Sequence, residues 1–140
     1  MPHDPELVAE TRGWFARAAH DFAAGAADLS ADPPLTGDAA FHAQQAAEKS
    51  MKGFLTWHSR VFRKTHNLAE LGGVCVEVDL TLESLLHRAA VLTDYAWRFR
   101  YPGEPDEPSG EEAREALAMA REVHEAILVN GYACLSSANR

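Results

Sequence analysis

The chain reads as an all-α protein: an antiparallel up-and-down bundle of four long helices plus one short helix. Three observations carry that expectation. Apolar residues recur at three- and four-residue steps in separate segments, the spacing that lines one face of a helix. Those segments are bracketed by capping residues and by Pro or Gly breakers. The composition is aliphatic and rich in alanine, which favours helix.

Asp4 can cap a first helix from about Pro5 to Leu29, and Pro5 suits its first turn. Leu7, Thr11, Trp14, Ala18, Phe22, Ala26 and Leu29 hold one stripe along it. Asp32-Pro33-Pro34 and Gly37 then break the chain. A second helix starts near Asp38 and fades around Arg60, with Ala40, Ala43, Ala47, Met51 and Phe54 on one apolar stripe. Ala46, Gly53 and Trp57 widen that stripe around the cylinder. Thr65 can cap a short third helix that turns Leu68, Leu71 and Cys75 inward, while Gly72-Gly73 blurs its end. Thr81 can cap a fourth long helix, with Leu82, Leu85, Leu86, Ala89, Leu92, Ala96 and Phe99 facing in. A rigid Pro-rich loop follows at 101–108. Ser109 and Glu112 form a capping-box pattern for the last helix, which ends near Gly131 ahead of a fraying tail from Ala133. Trp14, Phe22, Met51, Phe54, Leu85 and Leu92 are expected to be mostly buried.

At 140 residues the chain fits a single domain, 1–140 with its core at about 5–132. It shows no internal repeat, and the Pro-rich segment is too short to link two domains. No apolar run reaches the roughly 18 residues of a membrane span. The start, Met1-Pro2-His3-Asp4, has neither the basic nor the apolar region of a signal peptide. Cys75 and Cys134 show no metal or redox spacing, so reduced thiols and a cytoplasmic location are the expectation.

The formal net charge of −8 argues against a general nucleic-acid binder working through bulk electrostatics. Its distribution is uneven. Between Lys49 and His66 there is no Asp or Glu, while Lys49, Lys52, Arg60, Arg63 and Lys64 are all cationic. Glu104 to Glu125 forms the opposite pole. Such polarity either admits an anionic ligand locally, pairs with a second copy, or is a solvated face.

The chemistry-bearing candidates are few. Seven histidines show no metal-binding spacing, and no metal or cofactor is expected. No glycine-rich phosphate loop or nucleophile elbow is present. Gln45, Glu48 and Lys52 form a polar seam on the otherwise apolar second helix. Either Glu48–Lys52 is a surface pair worth a few tenths of a kcal/mol, or the seam lines a cleft, since buried charge requires partners. His66, after the basic run, either performs acid–base work or hydrogen-bonds a neighbouring helix. Arg98, Arg100 and Tyr101 lie where the fourth helix runs out, and a guanidinium there can clamp a phosphate or bond carbonyls.

Trp14 to Asp21, Ala40-Phe41-His42-Ala43-Gln44-Gln45-Ala46-Ala47-Glu48-Lys49 with Lys52, Thr65-His66-Asn67-Leu68 and Arg100-Tyr101-Pro102 together resemble a HEPN domain. HEPN is the nucleotide-binding helical domain of higher eukaryotes and prokaryotes. The resemblance spans nearly the whole chain. It implies a helical bundle, usually homodimeric, often encoded beside a minimal nucleotidyltransferase. It also implies a ligand cleft in which Glu48, Lys52, His66, Arg100 and Tyr101 converge, with Glu48 orienting Lys52. Two functions follow from it. One is a noncatalytic module binding a nucleotide, another anionic ligand or a partner protein. The other is a metal-independent ribonuclease toxin of a toxin–antitoxin pair, using Arg60 and His66. Five residues separate those two, within the nuclease spacing, but Val61 follows Arg60 where the nucleases typically place a polar residue. The noncatalytic reading is therefore taken first.

Overall fold

Asp4 accepts a hydrogen bond from the Glu6 amide at 2.9 Å and so opens α1, Pro5–Ser30. The computed structural model describes residues 3–99, 102–103 and 106–129. After α1 the chain turns within five residues, closed by the Leu35 amide donating to the Asp28 carbonyl at 2.9 Å. α2 then spans Thr36–Trp57. Asp21 beside Lys49, Phe15 against Gly53 and His3 beside Trp57 show α1 and α2 to be an antiparallel hairpin.

α2 is the centre of the molecule. Ala39, Ala40, Ala43, Ala46 and Ala47 are wholly buried, as are Met51 and Leu55. A helix surfaced with alanine lets neighbours approach closely on every side. Gly53 takes this furthest: a Cβ there would lie 2.7 Å from the Phe15 ring. Phe54 and Met51 are the largest fully buried side chains of this core. Truncating either to Ala is expected to cost about 2–5 kcal/mol.

α2 stops at Trp57 rather than fading toward Arg60. The Ser59 amide donates to Thr56 O and the Arg60 amide to Leu55 O, with Ser59 left-handed at φ 55°. This is a Schellman stop in which serine stands where glycine is usual. It reverses the chain, and residues 58–67 run back along α2 until His66 lies level with Gln44.

α3, Leu68–Val78, is capped by Asn67, whose side chain accepts from the amides of Ala69 and Glu70. Thr65 is not the cap; its hydroxyl accepts from the Asn67 amide one turn earlier. Asp79, not Thr81, begins the next segment, by accepting from the Thr81 amide and hydroxyl. In both places the carboxylate or carboxamide of Asp or Asn outcompetes a nearby threonine, in line with cap preferences.

The expected fourth long helix is broken. A 3₁₀ turn at Leu80–Leu82 leads into a short α4, Glu83–Ala89, which tightens into a second 3₁₀ segment at Ala90–Ala96. Thr93 in that segment accepts the Leu68 amide at the start of α3. The bundle therefore has three long helices, with the shorter α3 and α4 packed as an antiparallel pair beside them. α5, Gly110–Val129, opens on the expected capping box, with Ser109 Oγ accepting from the Glu112 amide and Glu112 accepting from the Ser109 amide. It packs on α1 and α2 through Leu117 against Gly25 and through His124. Its expected end near Gly131 and the tail lie outside the described residues. Among the described residues every regular element is helical. Phe22, Met51, Phe54 and Leu92 are buried, Trp14 and Leu85 half-buried, and Ala26 is exposed. No helix among the described residues is long and apolar enough to cross a membrane.

Candidate functional site

Position 48 of α2 faces inward, where a carboxylate needs partners for all its lone pairs. Glu48 has three donors. Lys52 Nζ donates to Oε2 at 3.0 Å, while Gln44 Nε2 and His66 Nδ1 donate to Oε1 at 3.1 and 2.7 Å. Gln44 also donates to the His66 carbonyl at 3.1 Å, and its own carbonyl accepts from Gln45 Nε2 at 2.6 Å. Gln44, Glu48 and Lys52 stack at successive i,i+4 positions on one face of the helix. The Glu48–Lys52 pair is buried, with side chains 4% and 10% exposed, so the surface-pair alternative is set aside. Lys52 also lies 5.6 Å from the centre of the Trp14 ring, on α1. Phe62 of the return segment meets the Trp14 ring edge-on at 6.3 Å.

His66 differs from the rest of this network. It comes from a loop, and its side chain is 66% exposed. A carboxylate on Nδ1 fixes the neutral tautomer with the proton there, leaving Nε2 as the outward-facing nitrogen. That nitrogen accepts a proton, or donates one once the ring is charged. The arrangement can therefore hold a proton next to a bound ligand or hydrogen-bond an anionic oxygen.

Of the five expected site residues, Glu48, Lys52 and His66 are brought together, and Arg100 and Tyr101 lie outside the described residues. The segment leading to Arg100 ends in an unusual backbone: Phe99 holds φ 68° and stacks on Tyr95. Gln44 belongs to the network and was missed by a seam drawn through Gln45. Its four-residue offset from Glu48 was the available signal.

The charge expectation needs correction. Four of the five cations in the 49–66 run meet carboxylates. Lys49 pairs with Asp21 at 2.6 Å, Lys52 with Glu48, Arg60 with Glu77 at 3.2 Å and Arg63 with Glu70 at 2.6 Å. Lys64 alone has no ion pair among the described residues. A run without acids in sequence is thus largely neutralised in space.

Arg60 and His66 are not assembled into one centre within the protomer. Arg60 reaches Glu77 near the end of α3, while His66 precedes its start and turns to Glu48. His66 and Glu77, the partner of Arg60, lie eleven residues apart along a stretch that is mostly α3, roughly 16 Å of backbone at 1.5 Å per residue.

A second network joins α1 and α2. Asp21 accepts from Lys49 Nζ at 2.6 Å and from His42 Nδ1 at 3.0 Å. His42 Nε2 lies 3.7 Å from Asp28 Oδ2, a buried oxygen with no hydrogen bond. Burial raises the Asp28 pKa, and His42 partly offsets this. His124 is a third case: Nδ1 donates to Ser50 Oγ at 2.8 Å, because the Ser50 hydroxyl hydrogen is already given to Ala46 O. Burial between Phe15 and Phe22 lowers the His124 pKa. Cys75 is wholly buried, and burial pushes its thiol up to about 12. Among the described residues no group of three or more His, Cys, Asp or Glu is placed to hold a metal ion.

The family model described as the HEPN domain matches residues 11–130, from the second turn of α1 through the end of α5. The chain belongs to the HEPN family. No match was found among curated proteins or among solved structures. In this HEPN domain the matched region holds the whole Gln44–Glu48–Lys52–His66 network. Two of the four segments that carried the resemblance, Ala40 to Lys52 and Thr65 to Leu68, are the stretches of chain that the network ties together.

Proposed function

We propose that this HEPN domain is a noncatalytic binding module. It takes a nucleotide, or another small phosphate-bearing ligand, at the open end of the Glu48 network, and acts as a cytoplasmic homodimer with a protein partner. A minimal nucleotidyltransferase is the partner that the family suggests. The observation that carries the noncatalytic half is the separation of Arg60 from His66, each held by its own carboxylate. Support for an anionic ligand comes from what the network leaves unspent. Glu48 and Lys52 cancel, so His66 Nε2 and the unpaired Lys64, two residues away on the same loop, are the groups facing outward. Two such groups suit one phosphate rather than an RNA backbone, whose binding scales with many neutralised phosphates. Arg100 and Tyr101 complete the cleft in this reading.

The test is calorimetric titration with ATP and GMP alongside incubation with RNA. Binding is expected to weaken about tenfold in His66→Ala, the loss of one charge-assisted hydrogen bond, and RNA is expected to stay intact. A second reading keeps one observation in its favour: a carboxylate-oriented, exposed histidine is the usual form of an acid–base group. Cleavage of RNA by purified protein, lost in His66→Ala with the helical circular dichroism unchanged, would replace the binding module with a ribonuclease.

A further inference from the structure

The antiparallel pairing of α4 and the following 3₁₀ segment with α5 leaves a groove on the surface. At one end a hollow of about 480 Å³ is lined by Leu82, Leu85, Arg88, Glu125, Ala126 and Val129 among others. At the other, a hollow of about 260 Å³ is lined by Val91, Tyr95, Glu112, Glu115 and Met119 among others. The exposed Arg88–Glu122 pair, at 3.4 Å, crosses the first hollow from α4 to α5. From Glu112 to Val129 the α5 wall is roughly 26 Å long at 1.5 Å per residue, the length of a helix of nearly five turns.

Two properties of this groove point to an occupant. Its floor and rim are apolar: Leu85, Tyr95, Met119 and Ala126 are only partly covered, and Val91 and Val129 are 73% and 82% exposed. Its charge has one sign. Glu112, Glu115, Glu122 and Glu125 line the α5 wall, and among the described residues Arg88 is the single cation lining either hollow. Around Tyr95 the carboxylates of Glu112, Glu115 and Asp94 face one guanidinium, Arg98. Arg121 of α5 points away from the groove and lies over Phe22, toward α1.

We propose that the α4–α5 groove docks a basic amphipathic helix of a partner protein, its apolar stripe in the two hollows and its lysines or arginines over the four glutamates. Helix-in-groove recognition uses apolar anchors at i, i+3, i+4 and i+7, and opposite charge adds on-rate and register. This rests on the partner-binding half of the proposed function, but the groove shares no residue with the Glu48 network.

The test uses the full chain and two labelled 18-residue peptides of the same leucine stripe, one with lysine and one with glutamate elsewhere. The lysine peptide is expected to bind at least tenfold more tightly. Replacing the wall by Glu112→Gln, Glu115→Gln, Glu122→Gln and Glu125→Gln together should remove that preference, and Val91→Asp should weaken binding about tenfold. Neutralising four acids outside the groove, Glu6, Glu10, Asp32 and Asp38, should leave it within twofold. Equal binding of both peptides, or equal loss in the two neutralised variants, overturns the proposal. So does a wild-type dimer by light scattering that Val91→Asp converts to monomer, since a second copy would then own the groove. Nucleotide binding measured on the same variants stays intact if only the groove is wrong, and is absent in wild type if the ligand reading is wrong.

Discussion

α2 carries two carboxylate–lysine–histidine networks, one turn of helix apart, and they have opposite characters. Asp21 with Lys49 and His42 joins two helices, and its histidine is 26% exposed. Glu48 with Lys52 and His66 joins a helix to a loop, and its histidine is more than twice as open. In the first, all three groups are fixed by helical backbone, so the network acts as a clasp between α1 and α2. In the second, a nearly buried carboxylate holds one end of a side chain whose other end meets solvent. The same residue types thus make a fastening in one place and a candidate site in the other, and what decides is which backbone delivers the histidine.

The largest expected effect separates the two by burial. Glu48→Ala leaves Lys52 buried with no carboxylate, a change that costs about 3–5 kcal/mol for an uncompensated buried charge. Asp21→Ala leaves Lys49 and His42 closer to water, and about 1–3 kcal/mol is expected. Urea denaturation of both variants measures the difference. Equal losses would mean that the Glu48 network is no more enclosed than the clasp. Glu48→Leu with Lys52→Met should recover most of the loss, as replacing a whole buried pair usually does.

The next effect concerns a histidine that belongs to neither network. His124 is held neutral by burial, so its folded pKa lies below the ordinary 6.5. The unfolded chain then binds the proton more readily, and stability that is full above about pH 6.5 is lost as pH falls toward the folded pKa. His58 is shifted the same way by burial against Phe54 and adds to the trend. His124→Gln should flatten the fall in Tm between pH 7 and 5. An unchanged slope would assign the acid sensitivity to His58.

How far this was legible follows from where each contact comes from. The start of α1 and the capping box of α5 were readable because cap and capped amide lie within three residues. The end of α2 was not, because Ser59 adopts the left-handed turn without the glycine that advertises it. The 3₁₀ segment after Ala89 carries Thr93, which bonds to the start of α3 twenty-five residues away, and no local pattern records that contact. The seam on α2 was visible as a periodicity, but its partner His66 arrives only through the return of residues 58–67. Charge misled partly for the same reason: Asp21 and Glu77 reach the basic run from 28 and 17 residues away, while Glu48 and Glu70 flank it.

The smallest effect on stability tests the contrast most directly. If His66 is a site residue attached to a stable network, its removal should cost the fold little. Its side chain is 66% exposed and makes one side-chain hydrogen bond, to Glu48. Glu48 would keep Lys52 and Gln44 as donors, and water can reach the vacated position. His66→Ala is therefore expected to lie within about 1 kcal/mol of wild type, whereas His42→Ala opens the clasp between α1 and α2 and should cost more. Paired denaturation curves of the two variants, with the nucleotide titration repeated on each, measure both quantities. His66→Ala losing ligand but not stability, and His42→Ala the reverse, would assign binding to the loop-borne histidine and fastening to the helical one. A His66→Ala protein as destabilised as Glu48→Ala would make His66 a structural brace.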